Sequence, residues 1–174
     1  ETLIRDHVKS DGKVSNNEQS SYALVLGMNH LQGTLKKSAE VQLVEAIHAY
    51  KDHLSTGSNT THFLLNYLAE NGHQDLAWKM VMQPTCPSYG HIVDSGATAM
   101  WERLDSWHPE LGFNPNLMND LNHLGLNSVF EWIFGYVGGI RPHPEDPGFK
   151  RFIIAPCTES GPEWVKTQYK SLRG

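Results

Sequence analysis

A chain of 174 residues with 39% hydrophobic, 10% aromatic and 19% charged residues has a globular composition, and its length suits one domain or one domain and part of another. A net charge of −5 argues against nucleic acid as the main partner, and no apolar run approaches the roughly 18 residues of a membrane span. Cys86 and Cys157 are too few and too far apart for a disulfide framework. The ten histidines form no His-x-Glu-x-x-His cluster, so neither a metal nor a cofactor is expected.

The first 137 residues read as helices. In "SSYALVLGMNHL", Tyr22, Val25, Leu26 and Asn29 fall on one helical face, with Ser20 or Ser21 as the cap. Leu43, Ile47, Tyr50 and Leu54 then repeat at helical steps, and Val44 widens their stripe. "STGSNTT" is a turn, after which Thr60 or Thr61 caps a helix through Phe63, Leu64, Tyr67 and Leu68 that stops at Asn71-Gly72. Asp75 opens the next helix, which Pro84 ends. Four helices joined by short turns have the rhythm of helical hairpins, and of a toroid built from them.

"PTCPSYGHIVDSGATA" breaks this rhythm and reads as a long loop, as does "DSWHPELGFNPN". One strong helix is predicted from about Leu117 to Val137, with Leu121, Leu124, Ser128, Trp132 and Tyr136 on one face and Gly138-Gly139 at its end. From Arg141 the composition shifts. "RPHPEDPG" is a proline-rich linker, and "FKRFIIAP" and "WVKTQYKS" read as two strands. The expected division is therefore a helical region over 1–140 and, over 141–174, a linker and the start of a β domain. Two strands cannot close a stable sheet alone, and the chain opens without a Met, so it looks cut.

The irregular segments concentrate Tyr89, His91, Asp94, Trp101, Glu102, Arg103, Asp105, Trp107 and His108. Aromatic planes beside carboxylates suit a sugar, whose C–H faces stack on rings while carboxyl groups do acid–base work. On local chemistry alone Glu102 and Arg103 read as a surface ion pair rather than a catalytic unit, and His123 as a hydrogen-bonded core histidine. Trp132 and Tyr136 read as packing residues. No Gly-x-Ser-x-Gly elbow is present for a serine hydrolase.

"CPSYGHIVDSGATAMWERLDS" and "MNDLNHLGLNSVFEWIFGYVGGIRPHPEDPGFKRFIIAP" resemble segments of bacterial α-L-rhamnosidases of glycoside hydrolase family 78, and the similarity covers nearly the whole chain. The resemblance implies a mainly α fold: the second half of an (α/α)6 barrel followed by the first strands of a C-terminal β-sandwich. It also implies an inverting glycosidase acting on a rhamnose-containing glycoside or polysaccharide. Carried over residue by residue, it makes Glu102 the general base and places His123 on the rhamnose hydroxyls. Trp101 would wall the sugar subsite, and Arg103 would orient or tune the base.

Two departures stand out: the family's "WERW" reads "WERL" here, at Leu104, and its "TGF" reads "TGS", at Thr56 to Ser58. The family's general acid lies in an upstream acidic motif that these residues lack, and none of Glu18, Asp94, Asp105 or Asp120 matches it. The remainder of the barrel is therefore an expected partner, and the 174 residues alone are expected to be inactive. The competing readings are a non-catalytic module binding a glycan or a partner chain, and a helical-toroid glycosidase for another sugar.

Overall fold

The computed structural model describes residues 6–116, 119–157 and 161–172. Among the described residues, the helices with set bounds before the first hairpin are α1 (Gln19–Gly27), α2 (Gly33–Ala49), α3 (Thr61–Glu70), α4 (Gln74–Val81) and the short α5 (Tyr89–Asp94). A small hairpin of β1 (Trp107–His108) and β2 (Gly112–Phe113) follows. A 3-10 turn (Gly125–Ser128), α6 (Val129–Trp132) and a π-helical turn (Ile133–Val137) then run on as one helical segment into β3 (Ile140–Pro142) and β4 (Phe152–Ile154).

α3 packs against α1, α4 and α6, and α2 packs on α1. This is the contact pattern of helical hairpins set side by side. The apolar stripes supply the core: Tyr22, Leu43, Ile47, Leu64, Leu65, Leu68, Met80 and Trp132 are all fully buried. Trp132 lies 6.1 Å from the Trp78 ring and donates from its indole N–H to Gln74 Oε1 at 3.3 Å, so α6 is keyed into α4 as well as α3.

The termini of these helices differ from the sequence expectation. Ser20 and Ser21 do not cap α1; Glu18 precedes it, and Ser20 Oγ instead meets Thr60 Oγ1 at 3.2 Å. Gln19, in the first turn, is buried and ties α1 to the segment after α2: its side-chain amide donates to the His53 carbonyl at 2.9 Å and accepts from the Ser55 amide at 3.0 Å. α2 ends at Ala49, before the stripe does, so Tyr50 emerges 47% exposed while Leu54 reaches the core from the following loop. Thr60 stands at the N-cap of α3 but makes no capping bond; Thr61 Oγ1 donates to the Gly57 carbonyl at 2.9 Å.

The segment read as a long loop contains α5. Ser88 caps it, accepting from the His91 amide at 2.9 Å, and its hydroxyl also bonds the Gln83 carbonyl. The long helix predicted from about Leu117 to Val137 forms only from Gly125 onward among the described residues. Leu117 and Met118 lie outside the described residues, 119–124 are irregular, and regular helix begins only at Gly125, leaving Leu124 80% exposed. The cause is competition for backbone hydrogen bonds: the 120–123 stretch spends its groups on residues 100–102.

The β part is also redistributed. β4 pairs antiparallel with β3, which takes Arg141 and Pro142 from the expected linker, in the register Ile140↔Ile154, Arg141↔Ile153 and Pro142↔Phe152. Gly139, at φ +75°, lets the chain enter that hairpin; a Cβ there would lie 2.1 Å from Pro156 N. "WVKTQYKS" is not a strand. Tyr169 stacks on Phe149 at 4.2 Å and stands edge-on to Phe134 at 6.0 Å, which fixes this segment by side chains instead of a ladder.

Candidate active site

Residues 100–102 and 120–123 are clamped side by side. The Glu102 amide donates to the Asp120 carbonyl at 2.8 Å, and the His123 amide donates to the Met100 carbonyl at 2.8 Å. A longer contact closes the pair, from the Asp120 amide to Glu102 Oε2 at 3.4 Å. The clamp brings Glu102 and His123, far apart in sequence, onto one short piece of backbone pairing.

Trp101 anchors the clamp from beneath. Its ring is buried, 4% exposed, and stands edge-on to Trp107 and to His91, each at 6.2 Å. His91 also stacks on His108 at 5.5 Å and bonds the Trp107 carbonyl at 3.1 Å through Nε2. Residue 101 is thus committed to this ring cluster, and the next residue, Glu102, is left half-buried at the surface.

Glu102 faces a cleft of about 280 Å³, where Arg103, Leu104 and Asp105 meet Tyr50, Thr56 and Gly57 from the α2–α3 connection. Leu104, one departure from the family pattern, therefore lines this cleft together with Thr56 and Gly57, which directly precede the other, Ser58. Trp101 does not line the cleft; its ring is buried against His91 and Trp107. His123 does not line it either; the lining residue nearest to it in sequence is Leu126. His123 Nδ1 accepts from the Gly125 amide at 3.0 Å, so the neutral ring carries its proton on Nε2. A Cβ at Gly125 would lie 2.7 Å from Ser58 Cβ and 3.0 Å from His123 Cε1, so glycine is what lets the Thr56–Ser58 turn close on the histidine.

Arg103 is not paired with Glu102. Its guanidinium holds Asp105 in a bidentate fork, Nε to Oδ1 at 2.9 Å and Nη2 to Oδ2 at 2.8 Å. Asp105 Oδ2 accepts a further bond from Asn114 Nδ2 at 2.9 Å. Ser106, fully buried, braces the same loop, its Oγ accepting from the Arg103 amide at 3.3 Å and its carbonyl from the Asn114 amide at 3.0 Å. The charge of Asp105 is felt nearby: burial, and then that carboxylate, push the Cys86 thiol above its usual range.

Sequence reasoning did not anticipate the Arg103–Asp105 fork or the place of Tyr50. Arg103 and Asp105 meet in an irregular loop, which no helical or strand period predicts, so the sequence carries no signal for the first. Tyr50 sits on an apolar stripe, and only the end of α2 at Ala49 turns it to the cleft. Chemically, the site offers a carboxylate at the edge of a polar cleft whose one bond among the described residues comes from a neutral amide. Such a group can accept a proton from water.

Residues 2–137 match the bacterial alpha-L-rhamnosidase 6 hairpin glycosidase domain and residues 139–174 the bacterial alpha-L-rhamnosidase C-terminal domain. An alpha-L-rhamnosidase of Streptomyces avermitilis is 40% identical over 168 residues, which is 97% of this chain and 16% of that protein. The crystal structure of the Streptomyces avermitilis alpha-L-rhamnosidase complexed with L-rhamnose superposes with a TM-score of 0.83 at 41% identity, over 89% of this chain and 15% of that one. That of the native α-L-rhamnosidase from Aspergillus terreus gives 0.79 at 31% identity, over 86% and 17%. The chain thus spans under a fifth of the length of these relatives, and its helices and β3–β4 hairpin match a fragment of a helical barrel followed by a β domain. It belongs to the bacterial α-L-rhamnosidase six-hairpin glycosidase family.

Proposed function

We propose that these residues form the general-base side of an inverting α-L-rhamnosidase that cleaves terminal α-L-rhamnosyl linkages. Residues 1–140 would be part of its catalytic barrel and 141–174 the opening of its C-terminal β domain. The observation that carries this reading is the backbone clamp between 100–102 and 120–123, because it ties Glu102, which lines the cleft, and His123 to one short piece of backbone pairing. Glu102 would take a proton from the attacking water. His123, its Nδ1 occupied by the Gly125 amide, would donate from Nε2 to a sugar hydroxyl. Arg103 would act on the base indirectly, through its partner Asp105, and Trp101 through the buried ring cluster that anchors the clamp.

Inversion needs a second carboxyl group to protonate the leaving oxygen. In this reading it comes from the remainder of the barrel, since Asp105, the other carboxylate on the cleft, is already bonded by Arg103 and Asn114. The names of the relatives, and the L-rhamnose in one of their structures, support the choice of sugar.

The test is hydrolysis of an aryl α-L-rhamnoside by the natural full-length protein. Glu102→Gln is expected to leave KM within a few-fold and to lower kcat by about 10²–10⁴-fold, the usual share of a general base. NMR of the first-formed product should show the anomer opposite to the substrate. Wild-type turnover in the variant, or activity confined to another aryl glycoside, would overturn the reading.

A further inference from the structure

Arg103 is the one cation next to Glu102 in sequence, and both side chains line the same cleft, yet its guanidinium is turned to Asp105 in a bidentate fork. The fork is itself held: Asn114 Nδ2 bonds the same carboxylate oxygen, Asn114 is tied by its amide to Ser106, and Ser106 is tied to the Arg103 amide. The other ionisable groups around Glu102 come from three directions. They are Asp120 and His123 on the clamped 120–123 stretch, Tyr50 from the end of α2, and Cys86, whose thiol meets the Leu104 carbonyl. Asp120 Oδ1 is occupied by the Asn122 amide at 2.7 Å. None of these is a fixed cation, so the position of Arg103 decides how much positive charge the base carries beside it.

We propose that Asp105 is a positioning residue that holds the Arg103 guanidinium off Glu102, leaving the base free to accept a proton from water. The proposal rests on Glu102 being the base. A guanidinium at ion-pair distance would favour the ionised carboxylate and blunt it as a proton acceptor; one neutralised in a fork does so far less. Asn114 keeps Asp105 in the orientation that receives the fork, which explains a bond from across the β1–β2 hairpin to this particular carboxylate.

The experiment is the pH profile of kcat/KM on an aryl α-L-rhamnoside, measured with the natural full-length protein. Its acid limb reports ionisation of the free enzyme's base. In Asp105→Asn the released guanidinium should move that limb to lower pH by about one unit, and Asp105→Glu should return it toward the wild-type position. Arg103→Met should move the limb the opposite way, because Asp105 is left as an unpaired like charge beside Glu102. A purely structural fork predicts that both variants lose rate with the limb unmoved, and that result overturns the proposal. If Asp105→Asn does not fold, as read by its thermal melt, Arg103→Met alone decides. Glu102→Gln separates the two levels: retained turnover there refutes the base assignment, whereas an inactive Glu102→Gln with unmoved limbs refutes only the role given to Asp105.

Discussion

Gly125 sits against Ser58 so closely that a Cβ on it would lie 2.7 Å from the Ser58 Cβ, and 3.0 Å from the His123 ring. One hydrogen atom at position 125 therefore sets the distance between the turn that follows α2 and the proposed sugar contact. Gly125→Val should push the His123 ring aside while leaving the helices intact. A displacement of about 1 Å in such a group can cost on the order of 10²-fold in rate. The expected result is a loss of kcat/KM of that order with an almost unchanged far-UV spectrum. Wild-type kinetics would separate His123 from the sugar.

Gln19 connects the helical core to the same cleft. Its amide bridges the His53 carbonyl and the Ser55 amide, and Ser55 is followed directly by Thr56 and Gly57 of the wall. Gln19→Ala removes both partners and leaves part-buried backbone groups unpaired, each costing about 1–3 kcal/mol. Denaturant unfolding should report a loss of at least that size. Gln19→Leu, which fills the space without restoring the bonds, should recover little of it.

How far the sequence reached follows from which interactions are local. α1 to α4 were legible because each carries its own apolar period, and Leu43, Ile47, Leu64 and Leu68 are buried as that period requires. α5 was hidden inside a proline- and glycine-rich stretch, since what stabilises it is Ser88 bridging to Gln83 on the approach from α4. Of the helix expected from about Leu117 to Val137, residues 119–124 failed for the converse reason: 120–123 has helical composition but is paired to 100–102. In the site, nothing local distinguished Glu102 from an ion-paired surface glutamate. It was singled out by a resemblance extending over nearly the whole chain, while the fork that diverts Arg103 is a loop contact no periodicity encodes.

Asp52 offers a check on the electrostatics outside the site. It sits at φ +58° just past α2, with Lys79 at 2.6 Å and His48 at 2.6 Å. Burial works against its charge, but the bonds from Lys79 and His48 prevail and hold its carboxyl below the usual value of 3.8. A carboxyl depressed in the folded state adds stability that is fully present above its unfolded pKa and is lost as pH falls through the folded one. Asn tolerates the same backbone, so Asp52→Asn removes the charge without adding strain. The stability gap between wild type and variant should shrink progressively as pH falls below about 4. A gap that does not change on acidification would contradict the ion pair.

Trp132 tests whether the last helical segment is bound to the hairpins as tightly as its burial implies. The indole is fully buried, lies 6.1 Å from Trp78, and donates to Gln74 Oε1 at 3.3 Å. Trp132→Ala empties that volume and strands the Gln74 carbonyl oxygen, so a loss of about 3–5 kcal/mol is expected. Trp132→Phe keeps most of the apolar contact and forfeits the hydrogen bond, worth about 1 kcal/mol together with the smaller ring's lost packing. The consequence reaches the site, because α6 continues directly from the Gly125–Ser128 turn that seats His123. The phenylalanine variant should therefore retain both the fold and the acid limb of the rate profile, while the alanine variant loses activity in step with its fraction unfolded. Urea titrations followed in parallel by far-UV signal and by turnover would show it: one shared midpoint for Trp132→Ala is the expected result. Activity lost well before the far-UV signal would mean that α6 releases the site without unfolding the hairpins.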